Sequence, residues 1–429
     1  MAICLRCCIS MGSNNVYAIF VGDETYAYLR AGQPNMAYTL LEPMLMQQRK
    51  HMANMGAGYD TYAMSSLLDG KVEPHKLNIV FSPFEITEEM NEAIDKYLKC
   101  NGQYVVWIYL PGISDGYSLD PSYMKRVTGF DIGVIEEKSG LQVQLSETNN
   151  VLTKGIEGLI YGNSTPNSVS PMPYIKNTDG VEVLGYNLDN NQGAGLGIKD
   201  MGDWVSIYSA APCLDVRMLR NLLKLADCHI YSENNEDVIY SSNHYVALHS
   251  GAAEKKTITL NGNYAVYDVF EQKFVSMDTN TITYDHAAND THIFRLMTPN
   301  TYAVTARIKS GKGTLSAPGL TEVSPGDSYT LTVTPDEGYE VALVTVNGEE
   351  VTLQDNTLNL DSVDGNQVIQ VRFNKLPEMV EVIEYIQELI ILPWPAAIGI
   401  LAVFAAAVWG INKGIKTWRR KREEEEGGY

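Results

Sequence analysis

The rhythm of hydrophobic positions changes as this chain of 429 residues runs on. From about Val16 to Ser232, near-continuous apolar runs alternate with stretches of helical spacing. "VYAIFV", "YDTYAM", "LNIVFS" and "YVVWIYL" (Tyr104–Leu110) read as strands, and "MAYTLLEPMLMQQRKHMANMG" and "SSLLDG" read as helical. The best helix is "ITEEMNEAIDKYLKCNG". Thr87 stands where an N-cap belongs, and Glu88 and Glu89 favour the positive end of the helix dipole. Met90, Ile94, Tyr97 and Leu98 form its buried stripe, and Asn101-Gly102 stops it. Apolar strands separated by helices predict a doubly wound parallel sheet. A β-rich section follows, Gly129 to Leu196. The alternation then resumes with strand "WVSIYSAAP", helix "CLDVRMLRNLLKLAD" (Leu214, Met218, Leu222 and Leu225 near one face) and a closing strand "CHIYS".

After Glu233 the period becomes two. "DVIYSSNHYVALHS", "KKTITLNGNYAVYDVF", "QKFVSM" and "THIFRLM" predict a small antiparallel β domain over 233–298. Pro299-Asn300 marks a boundary, and turn-punctuated alternation predicts a second antiparallel β domain over 301–375. The first domain then spans 14–232, behind an unstructured start or truncated upstream segment at 1–13. Residues 376–388 read as an acidic linker helix.

From Leu389 to Ile411 the sequence "LIILPWPAAIGILAVFAAAVWGI" carries no charge. At ~1.5 Å per residue such a run spans a hydrocarbon core of ~30 Å, so one C-terminal transmembrane helix is expected at 389–411. Lys413, Lys416, Arg419, Arg420, Lys421 and Arg422 follow it, while Glu378, Glu381, Glu384 and Glu388 precede it. The positive-inside rule makes 412–429 a cytoplasmic tail of a single-pass cell-membrane protein whose bulk is extracellular. The N-terminus shows no signal-peptide pattern. The sequence reads either as the back part of a longer protein or as a gene model begun at an internal Met.

The formal charge of −20 argues against a nucleic-acid partner. Cys4, Cys7 and Cys8 crowd the start, and Cys100, Cys213 and Cys228 are scattered. They make neither a disulfide framework nor a zinc site, because no second pair or nearby His completes CxxCC.

Three stretches in order carry a resemblance. "IFVGDETYAYLRAG" with "QQRKHMANMGAGYDTYAMSSLLDG" resembles the start of the flavodoxin-like, glutamine amidotransferase-like trimerisation domain of family 42-type β-galactosidases. "HKLNIVFSPFEITEEMNEAIDKYLKCNGQYVVWIYLPGISDG" and "MKRVTGFDIG" resemble its middle, and "LGYNLDNNQGAGLGIKDMGDWVSIYSAAPCLDVRMLRNLLKLADCHIYSENNEDVIYSSNHYVALHS" its end. "KTITLNGNYAVYDVFEQKFV" is similar to the small β tail of such glycosidases. The resemblance covers about Tyr17 to Leu296. Tyr302 to Asn374 resembles divergent bacterial surface repeats. The fold class so implied is α/β plus all-β: a flavodoxin-like parallel sheet, two antiparallel β domains and the membrane helix. Carbohydrate and a homo-oligomer are the partners the resemblance implies, beside the membrane.

The family's two catalytic glutamates sit in a barrel of roughly 250 residues, and only about fifteen residues precede Tyr17. No residue here inherits them. An amidotransferase would need a Cys on the strand-to-helix elbow, where this chain offers Pro111, Gly112, Ile113 and Ser114. Ser114 with Asp115 lacks a G-x-S-x-G frame and reads as a turn. Cys100 falls at a helix end. "GAGLG" (Gly193–Gly197) reads as a flexible loop, and His229, His244, His249, His286 and His292 as sheet residues without ligand spacing. Glu88-Glu89 read as a helix start, Glu136-Glu137 as a solvated turn, and the 26 tyrosines chiefly as sheet packing. The sequence thus assigns no catalytic, cofactor-binding or metal-ligating residue and no cofactor. The expectation is a non-enzymatic, membrane-anchored part of a glycosidase-like surface protein that frames a site supplied elsewhere. A stand-alone carbohydrate-binding or adhesive protein is the alternative, and an amidotransferase-like enzyme a third.

Overall fold

The structure, a computed structural model, describes residues 17–25, 27, 37–137, 140–163, 169–188 and 193–376. The chain divides into two compact units, with the division between Thr301 and Tyr302.

In the first unit the strands are β1 (Tyr17–Val21), β2 (Tyr59–Ala63), β3 (Leu77–Phe81), β4 (Gln103–Ile108), β5 (Asp131–Ile135) and β6 (Gln142–Leu145). Then come β7 (Ile160–Gly162), β8 (Met172–Asn177), β9 (Glu182–Asn187), β10 (Ala194–Asp200) and β11 (Trp204–Ser209). All eleven join one sheet, whose main path runs β2-β1-β3-β4-β11-β10-β9-β6-β7, with β8 bridging β10 to β5. The first five strands of that path are mutually parallel, and every pairing beyond β11 is antiparallel. β3 is buried at every position and β4 and β11 at all but one, as their apolar runs require.

This corrects the doubly wound, flavodoxin-like α/β expectation. Strand residues far outnumber helical ones, and the sheet is mixed. The β-rich section from Gly129 onward does not form a separate insert. Its strands extend the same sheet with reversed direction, as hairpin-connected strands do. "GAGLG" is likewise not a loop, because Ala194 to Gly197 belong to β10. A side chain at Gly195 would run into Asn187 and Val143, so glycine lets β10 lie close to its neighbours.

Helix Glu88–Tyr97 is capped by Thr87, whose Oγ1 accepts from the Met90 amide. Helix Val216–Leu225 is capped by Asp215, which accepts from the Arg217 amide. The stretch 37–53 is π-helical over Ala37–Gln47, with Pro43 inside it, and α-helical over Gln48–Ala53. Proline supplies no N–H for the regular ladder. "CHIYS" is not a strand. It is an extended link whose Tyr231 and Ser232 amides donate to the carbonyl of Gly56. Gly56 has φ +87°, and a Cβ there would fall 1.7 Å from the Ser232 carbonyl oxygen, so only glycine fits. Buried Arg220 fastens the same junction, donating to the carbonyls of Met55 and Asn54 and to Asn235 Oδ1.

The rest of this unit is a five-stranded antiparallel sheet. Its strands are β12 (Asp237–Ser241), β13 (Tyr245–Ser250), β14 (Glu254–Asp268), β15 (Lys273–His286) and β16 (Asp290–Met297), in the order β12-β13-β16-β14-β15. Ile239, Leu248, Ile258, Ile282, Phe294 and Leu296 share its core. One end of that interior is polar: the Lys256 ammonium, 1 % exposed, is ion-paired with Asp237 and Glu254.

The second unit has β17 (Tyr302–Ser310), β18 (Gly313–Leu315), β19 (Gly319–Val323), β20 (Tyr329–Pro335), β21 (Tyr339–Val346), β22 (Glu349–Glu350), β23 (Thr357–Leu360) and β24 (Gln367–Lys375). They form sheets β19-β17-β24-β21-β22 and β18-β20-β23 around Val304, Leu331, Val333, Ile369, Val371 and Phe373. The unit is not purely antiparallel, because its first and last strands, β17 and β24, run parallel.

The single-pass membrane reading is also corrected. Among the described residues no helix is long and apolar enough to cross a membrane. The stretch 389–411, with the acidic segment from 377 and the tail 412–429, lies outside them, as do residues 1–13 with Cys4, Cys7 and Cys8.

Candidate functional site

In open α/β sheets, ligands sit beyond the carboxyl ends of the parallel strands. Here that edge is under backbone strain. Ser82 after β3, Tyr109 after β4 and Cys213 after β11 all have positive φ (33°, 67° and 61°) without being glycine. Tyr109 and Tyr208 are fully buried, and the Tyr208 hydroxyl donates to the Tyr109 carbonyl at 2.7 Å. The Tyr109 hydroxyl in turn donates to the Pro171 carbonyl at 2.8 Å. Ser209 Oγ donates to the Ala211 carbonyl and so receives the Tyr161 hydroxyl, 2.9 Å away. Burial pushes all three phenols well above the ordinary tyrosine value, so they stay neutral. Three buried tyrosines thus tie the ends of β4 and β11 to neighbouring backbone and side chains.

The residues weighed from sequence are dispersed. Ser114 is buried, and its Oγ accepts from the Gly116 amide. Asp115 Oδ1 accepts from the amides of Tyr117 and Ser118 at 2.8 Å each, which holds its carboxyl below the ordinary value. The pair builds a turn. The Cys100 thiol donates to the Lys96 carbonyl, and burial pushes it up. His249, His286 and His292 lie in β13, β15 and β16, whereas His229 and His244 lie outside strands, against expectation. His292 stands 4.4 Å from the Tyr284 ring and 5.5 Å from His286. Among the described residues no group of His, Cys, Asp and Glu is arranged to hold a metal ion. Glu88 and Glu89 open their helix, and Glu136 and Glu137 are exposed.

Sequence reasoning missed Cys213. It occupies a strand-to-helix elbow after β11, with Sγ 3.8 Å from His51 Nδ1. The signal was present in "SAAPCLD", small residues and a Cys just ahead of a capping Asp. Yet the elbow is unarmed. His51 Nδ1 lies 2.9 Å from the Leu214 carbonyl, a contact that needs the proton on that nitrogen. No lone pair is then left there for the thiol proton. Burial and the nearby Asp215 push the Cys213 thiol up to about 11, which leaves little thiolate at neutral pH.

A cleft of about 510 Å³ lies between the loop after β4 and the start of helix Glu88–Tyr97. Its apolar side is Ile86, Val127 and Gly112. Gly112 has φ +72°, and a Cβ there would stand 2.6 Å from Val127 Cγ2. Thr87, Glu88, Asn91, Asp115 and Arg126 supply polarity, and Tyr117 and Tyr123 supply aromatic faces. Tyr117 is 97 % exposed. Asn91 is buried on the helix, and its Oδ1 has no hydrogen-bond partner. Tyr123 is held by a 2.9 Å bond between its hydroxyl and Ser118 Oγ. Arg126 reaches Asp95 through two bonds of 3.0 and 2.6 Å and lies 3.6 Å from Glu88.

No family model matches the chain, and no curated protein matches it. Among solved structures, the β-galactosidase of Bacillus circulans sp. alkalophilus is similar over 67% of this chain and 42% of its own, with 15% identity and a TM-score of 0.49. A catalytic mutant of Gan42B, a GH42 β-galactosidase from G. stearothermophilus, is similar over 66% of this chain and 40% of its own, at 16% identity and TM-score 0.49. The β-galactosidase of Rahnella sp. R3 gives 66% and 41%, 14% identity and 0.47. The chain spans about two fifths of the length of these structural neighbours.

Proposed function

We propose that this is a glycosidase-related, carbohydrate-associated protein that performs no hydrolysis itself and holds a saccharide in the cleft below Tyr117. The observation that carries the reading is the almost wholly exposed ring of Tyr117 in one cleft with Tyr123, whose hydroxyl is held by Ser118, and with polar side chains around them. An aromatic ring left in water is well placed to stack on the apolar face of a sugar. Thr87, Glu88 and Asp115 line the same cleft with oxygens that can accept from sugar hydroxyls. The order of the β-galactosidase-like stretches along the sequence supports a glycosidase relative. The unarmed Cys213 elbow speaks for binding over catalysis.

The test is a glycan array probed with the full chain and with Tyr117→Ala, alongside nitrophenyl glycosides as hydrolysis substrates. Glycan binding that weakens roughly fivefold on Tyr117→Ala, at about 1 kcal/mol for a lost aromatic contact, with no turnover, is the expected result. A silent array, or clear turnover, overturns it.

A further inference from the structure

Resting on the saccharide reading of the same cleft, we infer that it takes neutral sugars and turns away acidic ones, and that Asp95 sets this choice by occupying Arg126. Arg126 is the cation lining the cleft. Its two-point face is taken: both terminal nitrogens are bonded to the Asp95 carboxylate, at 3.0 and 2.6 Å, and Glu88 stands 3.6 Å away. Two-point pairing of this kind is the geometry in which an arginine would otherwise hold a sugar carboxylate. Lys99 also bonds Asp95, at 2.9 Å, but its side chain is 6 % exposed and its ammonium lies by the Trp107 and Trp204 rings. Against one neutralised cation the cleft presents Glu88, 72 % exposed, and Asp115. A uronic acid entering here meets two carboxylates and a guanidinium whose two-point face Asp95 already holds, so charge repulsion opposes it. A neutral sugar meets tyrosine faces that suit its apolar side and carboxylate acceptors that suit its hydroxyl groups.

The experiment is calorimetric titration of the full chain with neutral trisaccharides (cello-, malto- and galactotriose) and with trigalacturonate, repeated on Asp95→Asn and Glu88→Gln. At least one neutral trisaccharide is expected to bind and trigalacturonate to bind at least tenfold more weakly. Asp95→Asn frees Arg126 and is expected to raise trigalacturonate affinity tenfold or more. Glu88→Gln, on an exposed residue, keeps the test valid if Asp95→Asn does not fold, and is expected to raise that affinity by a smaller factor. Trigalacturonate binding as tightly as the neutral sugars, or no gain in either folded variant, overturns the selectivity while leaving the saccharide reading intact. If no saccharide of either kind binds, the reading of the cleft itself fails.

Discussion

The hydroxyl of Tyr208, the penultimate residue of β11, donates to the carbonyl of Tyr109, the first residue past β4, across 2.7 Å of fully buried space. Two neighbouring parallel strands are thereby tied at the edge where relatives of this architecture admit ligands. Tyr109 takes a left-handed backbone conformation that a bulky residue adopts only under constraint. Removing the donor with Tyr208→Phe leaves that carbonyl buried and unpaired, at a cost of about 1–3 kcal/mol. Urea unfolding of the first unit should show the loss as a lowered midpoint, with saccharide binding untouched. An unchanged midpoint would mean that the Tyr208–Tyr109 bond contributes nothing.

Acid should loosen the clasp beside the cleft. Burial of Asp95 works against its ionised form, but hydrogen bonds from Arg126 and Lys99 outweigh it and hold the carboxyl below its ordinary value. A depressed folded-state pKa stabilises the fold above the unfolded value of ~3.9 and loses that stabilisation as pH falls through the folded value. The unfolding midpoint should therefore drop below about pH 4, and Asp95→Asn should drop less steeply over that range. Because Asp95 is 43 % exposed, the difference should shrink in high salt. Parallel curves for the two proteins would contradict the assignment.

Lys256 and Asp237 carry opposite charges inside the β12–β16 sheet, with side chains 1 and 2 % exposed. Truncating Asp237 leaves the buried Lys256 with only the half-exposed Glu254 as partner, so Asp237→Ala should cost about 1–3 kcal/mol, less than a fully stranded charge would. Replacing both, as Asp237→Leu with Lys256→Met, should recover most of it, because an apolar pair needs no desolvated charge. Thermal melts of the three proteins decide this, and a double variant no better than the single one counts against the argument.

Cys213 offers a chemical check on the absence of an armed nucleophile. With the thiol pushed up to about 11, iodoacetamide at pH 7.5 should label it far more slowly than a free cysteine, and at the ordinary rate in urea. Mass mapping of the labelled peptides would read this. Fast native labelling of Cys213 would reopen an amidotransferase-like reading.

How much of this was legible in the sequence depends on which forces acted locally. β1, β3, β4 and β11 announce themselves because burial on both faces demands unbroken apolar runs. Helix Glu88–Tyr97 announces itself through Thr87, whose capping bond needs only its own first turn. The mixed sheet was hidden because strand direction is set by which strand lies alongside. Nothing within "GAGLGIKD" records that Asn187 and Val143 will press on its glycines. "CHIYS" has strand composition, yet its backbone bonds go to Gly56, 175 positions before Tyr231, a partner no local pattern discloses. A strand-to-helix elbow such as Pro111 to Ser114 is legible because one short contiguous motif builds it. The cleft is instead assembled from Asn91, Tyr117 and Arg126, which stand on three different elements.

The parallel pairing of β17 with β24 has a mechanical consequence. Val304 lies beside Gln367 and Ser310 beside Arg372, so the chain enters this unit at one end of the pair and leaves at the other. Tension applied between Tyr302 and Lys375 would draw the two strands past each other and load their whole row of hydrogen bonds at once. A terminal antiparallel hairpin would unzip bond by bond. The second unit is shaped to resist stretching, a property that pulling on single molecules measures and that its unfolding in denaturant does not report.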